Sequence, residues 1–341
     1  MPADKTKIKV KLSTDNPELW IRQFPDGVAI WGQCEFIFDS AEKEYDWFIV
    51  YNDFPRLFTE EVLQCAASHT MLVTTEPPSI KSYGIDFTRQ FGCVLTSQPQ
   101  WSLPHADRIF SQPALHWFFG WGSKKMRSYN EIASVDVEVK SKTISTVCSS
   151  KQQRHTLHNK RYQFTQALKN KLPEMDIFGH GVKLMDDKAD SLDDYRYHLA
   201  IENYQGEHHW TEKLADSFLG LTLPFYYGCP NAKDYFPEQS FIPIDIFDVN
   251  GAYEIIRQAI KNNEYEKRLP YILEARRLVM EQYNIFAVLS REIALRHNKT
   301  DTKTINKTIY SRHELRKKYP LVGLRDVIEK MRVRIISLLF R

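Results

Sequence analysis

The amino-acid sequence predicts an α/β fold divided into two domains, and three observations support this prediction. The chain has 341 residues, more than a single hydrophobic core usually organises, and 43% of its residues are hydrophobic. Short runs of β-branched and aromatic residues recur along it, separated by segments of helix or loop length. A polar stretch divides these runs into two series. We therefore expect an N-terminal domain at residues 1–140, a second domain at residues 141–300 and a C-terminal segment at residues 301–341.

The first series begins with "KIKVKL" at residues 7–12, where lysines alternate with Ile8, Val10 and Leu12. A period of two is typical of a half-buried strand. The runs "CEFIFD", "DWFIVYND", "TMLVTTE" and "FGCVLTSQ" predict further strands. At residues 120–125, "GWGSKK" interrupts the pattern and a polar stretch follows, which places the domain boundary there.

The second series alternates strands with helices. The predicted strands are "TISTVCSS", "MDIFGHG", "YHLAIEN", "LPFYYGC" and "SFIPIDIFD", and the predicted helices are "HNKRYQFTQALKNKL" and "TEKLADSFLG". This alternation is Rossmann-like, although the chain lacks the GxGxxG fingerprint of dinucleotide-binding domains. From Val249 to His297 the pattern is helical, with Pro270 as the expected interruption.

Basic residues are concentrated in the C-terminal segment. Residues 301–341 contain eleven Lys or Arg and four Asp or Glu, a net charge of +7, so the remaining residues sum to −4 for the total of +3. After Pro320, apolar residues recur at helical spacing between basic ones: Leu324, Val327, Ile328, Met331, Ile335 and Leu338. The pattern predicts a basic amphipathic helix. Two interpretations stay open: residues 320–341 bind an anionic surface on the inner face of a membrane, or the helix packs on the body with a solvated basic face.

Composition narrows the class of protein. The first 300 residues are net acidic, which argues against a nucleic-acid surface. The five cysteines are widely spaced without a CxxC pair, so we expect buried, reduced thiols rather than a zinc site. The N-terminal "MPADKTKIKVKLS" has no apolar run, and no stretch reaches the roughly eighteen apolar residues of a transmembrane helix. These features predict a cytoplasmic protein.

A lysine at the start of a predicted helix is the first candidate for a binding site. In "TEK", Thr211 is a suitable N-cap and Glu212 suits the first turn, whereas Lys213 opposes the helix dipole. Lys213 either points into solvent at a small energetic cost, or binds a phosphate group beside the N–H groups of the helix start. A hydrophobic strand ends just upstream at "AIEN", and ligands of α/β sheets bind at the carboxyl ends of strands. This position favours the phosphate.

Around this motif the sequence resembles family 10 glycosyltransferases, the α-1,3/4-fucosyltransferases. The family signature has an aromatic-x-Leu-x-Phe-Glu-Asn strand end, a polar loop, Thr-Glu-Lys, a helix, Val-Pro, an aromatic-Gly pair and Ser-Phe-Ile. Residues 195–247 contain "YHLAIEN", "TEK", "LPFYYG" and "SFI" with the same spacing. Weaker similarity runs from "TISTVCSS" through "DIFGHG", and the first half of the chain fits mainly in element order.

The resemblance implies a GT-B fold, in which two Rossmann-like domains face each other across a cleft and the C-terminal domain binds a nucleotide sugar. It implies that Lys213 and an upstream arginine neutralise the diphosphate. "RYQFTQAL" supplies that arginine as Arg161, with Arg154 as the alternative. The full set expected at the donor comprises these cations and the groups that hold the ribose and the sugar: Arg161, Lys213, Glu202, Glu212, Asn203, Ser150, Tyr204 and His209.

The resemblance also implies that a glutamate after a strand of the N-terminal domain is the catalytic base. Glu76 has this position in "MLVTTEPPSIKSY", although Thr75 and Pro77 replace the glycine and asparagine that flank the base in the family. Inverting transfer needs a base for the acceptor hydroxyl and cations for the departing diphosphate. The implied function is transfer of fucose from GDP-fucose to a hydroxyl group of a surface glycan, with no metal or other cofactor required.

Alternatives stay open at this point. The chain could use another nucleotide sugar, since Ile201, Tyr204 and His209 depart from the common family form, or it could bind a sugar nucleotide without catalysis. The adjacent His208 and His209 lack the spacing of an HExxH metal site. The aromatic run "ALHWFFGWG" at residues 114–122 is either interdomain core or a stacking surface for a ligand.

Overall fold

The strands of the protein are short and lie throughout the chain. The computed structural model describes residues 7–14, 16–56, 58–113, 115–150, 156–179, 181–302 and 307–339. The strands within these ranges are β1 Ile8–Ser13, β2 Ile30–Trp31, β3 Cys34–Ile37, β4 Trp47–Tyr51, β5 Glu60–Val62, β6 Thr70–Val73, β7 Cys93–Thr96, β8 Arg108–Phe110, β9 Lys142–Val147, β10 Asp176–Phe178, β11 Tyr195–Ile201, β12 Leu223–Tyr227, β13 Ile242–Pro243 and β14 Thr308–Tyr310.

The helices are short in the first half of the chain and longer in the second. They are α1 Pro17–Ile21, α2 Ile85–Thr88, α3 Tyr129–Ala133, α4 His158–Lys171, α5 Glu212–Leu219, α6 Val249–Lys261, α7 Glu264–Glu281, α8 Ile285–Arg296, α9 Arg312–Lys318 and α10 Pro320–Leu339.

The chain forms two compact units, and one of them is discontinuous in sequence. The first unit comprises Met1–Ala114 together with Ile285–Arg341, and the second comprises Leu115–Asn284. These divisions differ from the boundaries at 140 and 300 expected from the sequence.

Packing explains where the chain divides. Trp117, Phe119 and Ile132 are buried in the core of the second unit, so the polar stretch that contains them belongs to that unit. Lys140 also belongs there, because its ammonium group donates to the backbone carbonyls of Leu192, Asp193 and Gly220. After the C-terminal end of this unit the chain returns to the first unit, because apolar residues of α8 are buried in the core of the first unit.

The sheet of the first unit has the strand order β2-β3-β1-β4-β6-β7-β8 and is parallel except for the β2–β3 pair. β1 lies between β3 and β4, so both of its edges are paired, and even Lys11 is buried. Lys11 Nζ pairs with Glu61 Oε1 at 2.9 Å and donates to the carbonyl of Ser40 at 2.8 Å. The strand that the sequence predicts to be half-buried is therefore a central strand of the sheet. Its buried lysine is tolerated because it has a buried counter-ion.

The sheet of the second unit is parallel throughout, with the order β10-β9-β11-β12-β13. Numbered within the unit, this is the order 2-1-3-4-5 of a doubly wound Rossmann-like sheet. The predicted alternation of strands and helices is confirmed here. The direction of winding reverses between β9 and β11, and ligands of such sheets bind at the carboxyl ends of the strands at this switch point.

The long helical stretch after residue 248 consists of three helices. The breaks fall at residues 262–263 and 282–284, and Asn263 has a left-handed backbone with φ of 53°. α7 continues through Pro270, so the predicted interruption at the proline is wrong. Because Ile272 and Ala275 of α7 are fully buried, core packing keeps the helix intact despite the lost backbone hydrogen bond.

The C-terminal helix α10 packs against the rest of the first unit along one side only. Val322 and Val333 are buried, and the Glu329 carboxylate accepts a hydrogen bond from the backbone N–H of Ile85 at 2.9 Å. Arg325 pairs with Asp86 at 3.0 Å. The apolar residues on the remaining surface of the helix are exposed: Leu321, Leu324, Val327, Ile328, Met331 and Ile335.

Two expectations about residue environments can be compared with the described residues. All five cysteines lie within them, and each is a buried thiol, as the sequence predicts. In the described part of the chain, no helix is long and apolar enough to cross a membrane.

Candidate active site

Arg161 lies at the switch point of the second sheet. It stands in the first turn of α4, only 7% exposed, and its guanidinium reaches the carbonyls of Val147 at 3.5 Å and Ile201 at 3.4 Å. These residues end β9 and β11, the two strands between which the winding reverses. Arg161 also donates to Asn203 Oδ1 at 2.7 Å. The fold therefore places a cation where a doubly wound sheet binds its ligand.

Glu202 follows β11 and anchors the start of α5. Its carboxylate is fully buried and accepts hydrogen bonds from the backbone N–H of Thr211 at 2.8 Å and from the Thr211 hydroxyl at 2.9 and 2.7 Å. Thr211 is in turn the N-cap of α5, accepting a hydrogen bond from the Lys213 N–H. The strand end and the helix start are thus joined by one buried carboxylate.

Lys213 extends from α5 into this carboxylate cluster. Its ammonium group lies 2.9 Å from Glu212 Oε1 and 3.3 Å from Glu202 Oε2, and it donates to the Thr211 hydroxyl at 3.0 Å. The side chain is 21% exposed. Two carboxylates offset the unfavourable position of the lysine at the helix start. Of the two interpretations left open by the sequence, a side chain merely pointing into solvent does not match this arrangement.

The electrostatics of the cluster follow from burial and from Lys213. Burial disfavours the Lys213 cation, but Glu202 and Glu212 outweigh burial, so the pKa of Lys213 is raised. Burial raises the pKa of Glu202, and the nearby Lys213 opposes this shift only in part. For Glu212, burial acts in the same direction, but the cations Lys213 and Lys188 prevail and its pKa is lowered. Lys213 therefore keeps its positive charge.

A second ion pair supports α5, and the sequence analysis missed it. Lys188 Nζ lies 2.8 Å from the fully buried Asp216 carboxylate and donates to the carbonyl of Glu212 at 3.1 Å. Asp216 also accepts from the backbone N–H of Phe118 at 3.3 Å. The signal in the sequence was an aspartate amid the apolar residues of "KLADSFLG", where a carboxylate needs a buried partner.

Tyr204 and His209 form an aromatic pair in the loop between β11 and α5. Their rings meet edge to face with centroids 5.4 Å apart, and His209 is almost fully buried. Burial, followed by the charge of Lys213, lowers the pKa of His209 to about 3, so its imidazole is neutral. A Cβ at Gly206 would overlap the Tyr204 ring, so this loop requires glycine there.

The comparisons with known proteins agree with this geometry. The profile of the family described as "Glycosyltransferase family 10 (fucosyltransferase) C-term" matches residues 137–269, which include every element of the cluster. These residues are therefore similar to a glycosyltransferase family 10 domain. An α-(1,3)-fucosyltransferase FucT of Helicobacter pylori is 39% identical over 70 residues, which cover 20% of this chain and 14% of that relative. The match to this curated relative thus spans a small part of its length.

Solved structures extend the likeness over most of the chain. A crystal structure of α1,3-fucosyltransferase with GDP aligns with a TM-score of 0.51 and 15% identity, covering 88% of this chain and 94% of that one. The structure of an α1,3-fucosyltransferase with GDP-fucose aligns with the same values. At this level of identity the likeness concerns the fold, which is GT-B.

One residue expected at the donor lies outside the cluster. Ser150 is exposed beyond the end of β9, beside Gly181, and its place at the donor stays a prediction. Arg154, the alternative to Arg161, is outside the described residues. His208 is hydrogen-bonded to Asn231 and Tyr235. Among the residues that the structure describes, no group of three or more His, Cys, Asp or Glu could hold a metal ion.

The aromatic run that precedes the stretch matched by the family model has two environments. Trp117 and Phe119 are buried in the core of the second unit. Phe118 and Trp121 are more than one-third exposed and stack on each other with centroids 5.7 Å apart. The buried rings thus belong to the core of the second unit itself, and Phe118 and Trp121 form a stacked pair at the surface.

Glu76, the expected base, lies in the first unit after the end of β6. Its backbone N–H, like that of Thr75, donates to the Tyr83 hydroxyl, and its carbonyl accepts from Gln98 Nε2 at 2.7 Å. The Tyr83 hydroxyl donates to Asn52 Oδ1 at 2.7 Å. These bonds fix the backbone around the half-buried Glu76. The sequence analysis missed Tyr83 and Gln98, which are 7 and 22 residues away from Glu76.

Proposed function

We propose that the protein is an inverting glycosyltransferase that transfers fucose from GDP-fucose to a hydroxyl group of a surface glycan. The observation that carries the proposal is the pair of cations, Arg161 and Lys213, beside the carboxyl ends of β9 and β11 within the stretch matched by the family 10 model. A nucleotide diphosphate needs such cations, because negative charge accumulates on it as the glycosidic bond breaks.

In this proposal the two cations bind the diphosphate in different ways. The Arg161 guanidinium has five N–H donors, and the contacts to Val147, Ile201 and Asn203 leave donors for a ligand. Lys213 shares its charge with Glu202 and Glu212, so a diphosphate would compete with these carboxylates. The carboxylates hold the lysine in one orientation before the donor binds.

The remaining residues have supporting roles in the proposal. Glu202 is fully buried, so it acts by positioning Thr211 and Lys213 rather than by contacting the sugar. Asn203 orients Arg161, and Tyr204, held by the buried ring of His209, lines the space for the sugar.

Glu76 is the base that we propose for the acceptor hydroxyl. The chain itself supplies the cations for the departing diphosphate, and GDP-fucose is a co-substrate, so this scheme invokes no metal or other cofactor. The Glu76→Gln variant should lose transfer while GDP still binds with unchanged affinity. Unchanged turnover would remove Glu76 from the mechanism.

The donor is tested by calorimetry and turnover across GDP-, UDP- and CMP-sugars. We expect binding and transfer with GDP-fucose. Activity with another nucleotide sugar and none with GDP-fucose would replace the donor, and the Tyr204–His209 pair is the feature that would favour this second function. Binding of GDP-fucose without transfer to any glycan or water would instead favour a non-catalytic sugar-nucleotide-binding protein.

We also propose a peripheral position on the cytoplasmic face of a membrane, supported by the exposed apolar residues and the arginines of α10. The full chain should float with phosphatidylglycerol vesicles and less with phosphatidylcholine vesicles. Replacing Leu324 and Ile328 by Glu should abolish flotation, whereas Val139→Glu, at an exposed valine of the second unit, should not. Equal flotation of all forms would contradict the proposal.

A further inference from the structure

A pocket in the first unit is lined by four cationic side chains among its nine lining residues. It has a volume of about 420 Å³ and lies between residues 80–82, α9 and α10. Its charged lining residues are Lys81, Arg312, Arg316, Lys330 and Asp326. Four cations therefore face one carboxylate. The volume falls within the range of about 300–1,000 Å³ that is typical of ligand pockets.

The single carboxylate is already engaged. Asp326 Oδ2 pairs with Arg316 Nε at 2.7 Å. Within the part of the chain that the structure describes, Lys81, Arg312 and Lys330 have no carboxylate within ion-pair distance. Three cations around one cavity thus lack a direct ion-pair partner, and two of them, Lys81 and Arg312, are partly removed from water, where an unpaired charge is costly.

Two of these cations are held rigidly by neutral groups. Lys81 Nζ donates to the side-chain and backbone oxygens of Asn52 at 2.8 and 3.2 Å. Arg312 Nη2 donates to the carbonyl of Ser82 at 2.8 Å. The Nε of Arg312 is buried and has no hydrogen-bond partner among the described residues. The pocket therefore contains cations that neutral groups hold in place.

The cations also disfavour one another's charge. Burial, then the charge of Arg312, lowers the pKa of Lys81 to about 8, although Asp53 and Glu76 act in the opposite direction. Burial, then Arg316, lowers the pKa of Arg312. A bound anion would relieve this repulsion.

We propose that this pocket binds a phosphate group. A phosphate monoester or diphosphate carries more than one negative charge and several acceptor oxygens, matching the excess of cations and the planar donor sets of arginine better than a single carboxylate would. The phosphate is either free in solution or the headgroup of a lipid. The lipid source fits the lining residue Val327 and the neighbouring Leu324 and Ile328, whose apolar side chains are exposed beside the pocket. All residues of this pocket belong to the first unit, whereas the proposed donor residues belong to the second.

The phosphate site is tested on the full chain by calorimetric titration with inorganic phosphate and pyrophosphate at constant ionic strength. Excess GDP is present throughout to occupy the proposed donor site. Lys330→Gln should weaken binding about tenfold, because a charge-assisted hydrogen bond to the phosphate is lost. Arg334→Gln is the matched control, since it removes one exposed charge from the same helix but does not line the pocket. Far-UV circular dichroism checks that each variant is folded.

The source of the phosphate is tested by flotation with vesicles of phosphatidylcholine that contain either phosphatidic acid or phosphatidylglycerol at matched charge. A preference for phosphatidic acid that Lys330→Gln removes and Arg334→Gln keeps would support the lipid headgroup. Phosphate binding in solution with the same dependence on Lys330, but no vesicle preference, would support free phosphate. Arg312→Gln serves as a second variant. The proposal is overturned if neither phosphate nor vesicle binding responds to Lys330→Gln or Arg312→Gln, or if Arg334→Gln has the same effect as Lys330→Gln.

Discussion

At the scale of single residues, Lys213 illustrates how a locally unfavourable choice becomes favourable in the folded chain. A lysine in the first turn of α5 opposes the helix dipole. Glu202, eleven positions upstream, and Glu212 beside it surround the ammonium group and raise its pKa. The lysine is a fixed cation at the carboxyl end of β11, and this arrangement depends on the buried Glu202 as much as on the lysine itself.

Replacing Lys213 tests the proposed diphosphate site. In Lys213→Met the affinity for GDP should fall about 10- to 100-fold, because a charge-assisted hydrogen bond is worth about 1.5–3 kcal/mol. Lys261→Met, which removes an exposed lysine of α6, should bind GDP like the unmodified protein. Isothermal titration calorimetry measures both. Equal affinities of the two variants would mean that Lys213 does not hold the diphosphate.

His209 should make stability depend on pH. Its pKa is lowered by burial from 6.5 to about 3, so the folded state binds fewer protons than the unfolded state between these values, and stability is lost as the pH falls through this window. His209→Phe keeps a ring against Tyr204 and removes the titration. The free energy of unfolding should therefore fall less in this variant between about pH 7 and about pH 5 than in the unmodified protein.

Chemical denaturation at the two pH values provides this measurement. In His209→Phe the decrease in the free energy of unfolding should be smaller but still present. The buried His198 contributes to it in the same way, because burial also lowers its pKa to about 3. His313→Phe, at an exposed position of α9, is the control and should retain the full decrease. An unchanged pH dependence in His209→Phe would contradict the buried neutral imidazole.

At the scale of elements, the sequence predicts the central strands well and misses several of the shortest strands. Runs such as "DWFIVYND" and "YHLAIEN" form β4 and β11, whose residues are buried on both faces. β2, β5, β8 and β14 have two or three residues each, and β14 pairs with β5, which is distant in the sequence. Such pairing leaves too short a local pattern to detect.

The candidate site, too, is only partly predictable from the sequence. That Glu202 and Asn203 end a strand and Glu212 and Lys213 start a helix can be predicted from local patterns and from the family signature. The bonds between these elements cannot, because Glu202 meets Thr211 nine residues away and Lys188 meets Asp216 twenty-eight residues away. Only the folded sheet brings these groups together.

The turn after β12 should not tolerate even a methyl side chain at Gly228. A Cβ at Gly228 would overlap Cγ of Glu202 and lie 2.7 Å from the Tyr226 hydroxyl. Gly228→Ala should therefore displace the carboxylate that positions Lys213, lowering both the melting temperature and the affinity for GDP. In Gly323→Ala the added Cβ meets nothing within 4 Å, and alanine favours the helix, so stability should stay the same or rise slightly. Thermal melts and calorimetry compare the two, and equal behaviour would disprove the steric argument.

At the scale of the whole molecule, the chain leaves the first unit, completes the second and returns. Composition alone suggested boundaries at 140 and 300, because polar residues are common before the first of these positions and helices continue almost to the second. The burial of Trp117 and Phe119 in one core and of Phe286 and Leu289 in the other moves the divisions to 114 and 284. The boundary is therefore set by apolar residues that lie in polar or helical stretches of the sequence, because their burial in a core is favourable.

The last prediction concerns the autonomy of the second unit. Residues 115–284 expressed alone should unfold cooperatively and bind GDP, because the sheet, the Arg161–Lys213 cluster and its supporting ion pair are all contained in this range. Residues 141–300, cut at the boundaries that composition suggests, would lack Trp117, Phe119 and Lys140 and would expose the apolar face of α8, whose core partners are in the first unit. Circular dichroism melts should show a lower and broader transition for the second fragment, and calorimetry should show weaker GDP binding. Equal stability of the two fragments would mean that residues 115–140 are not part of the second core.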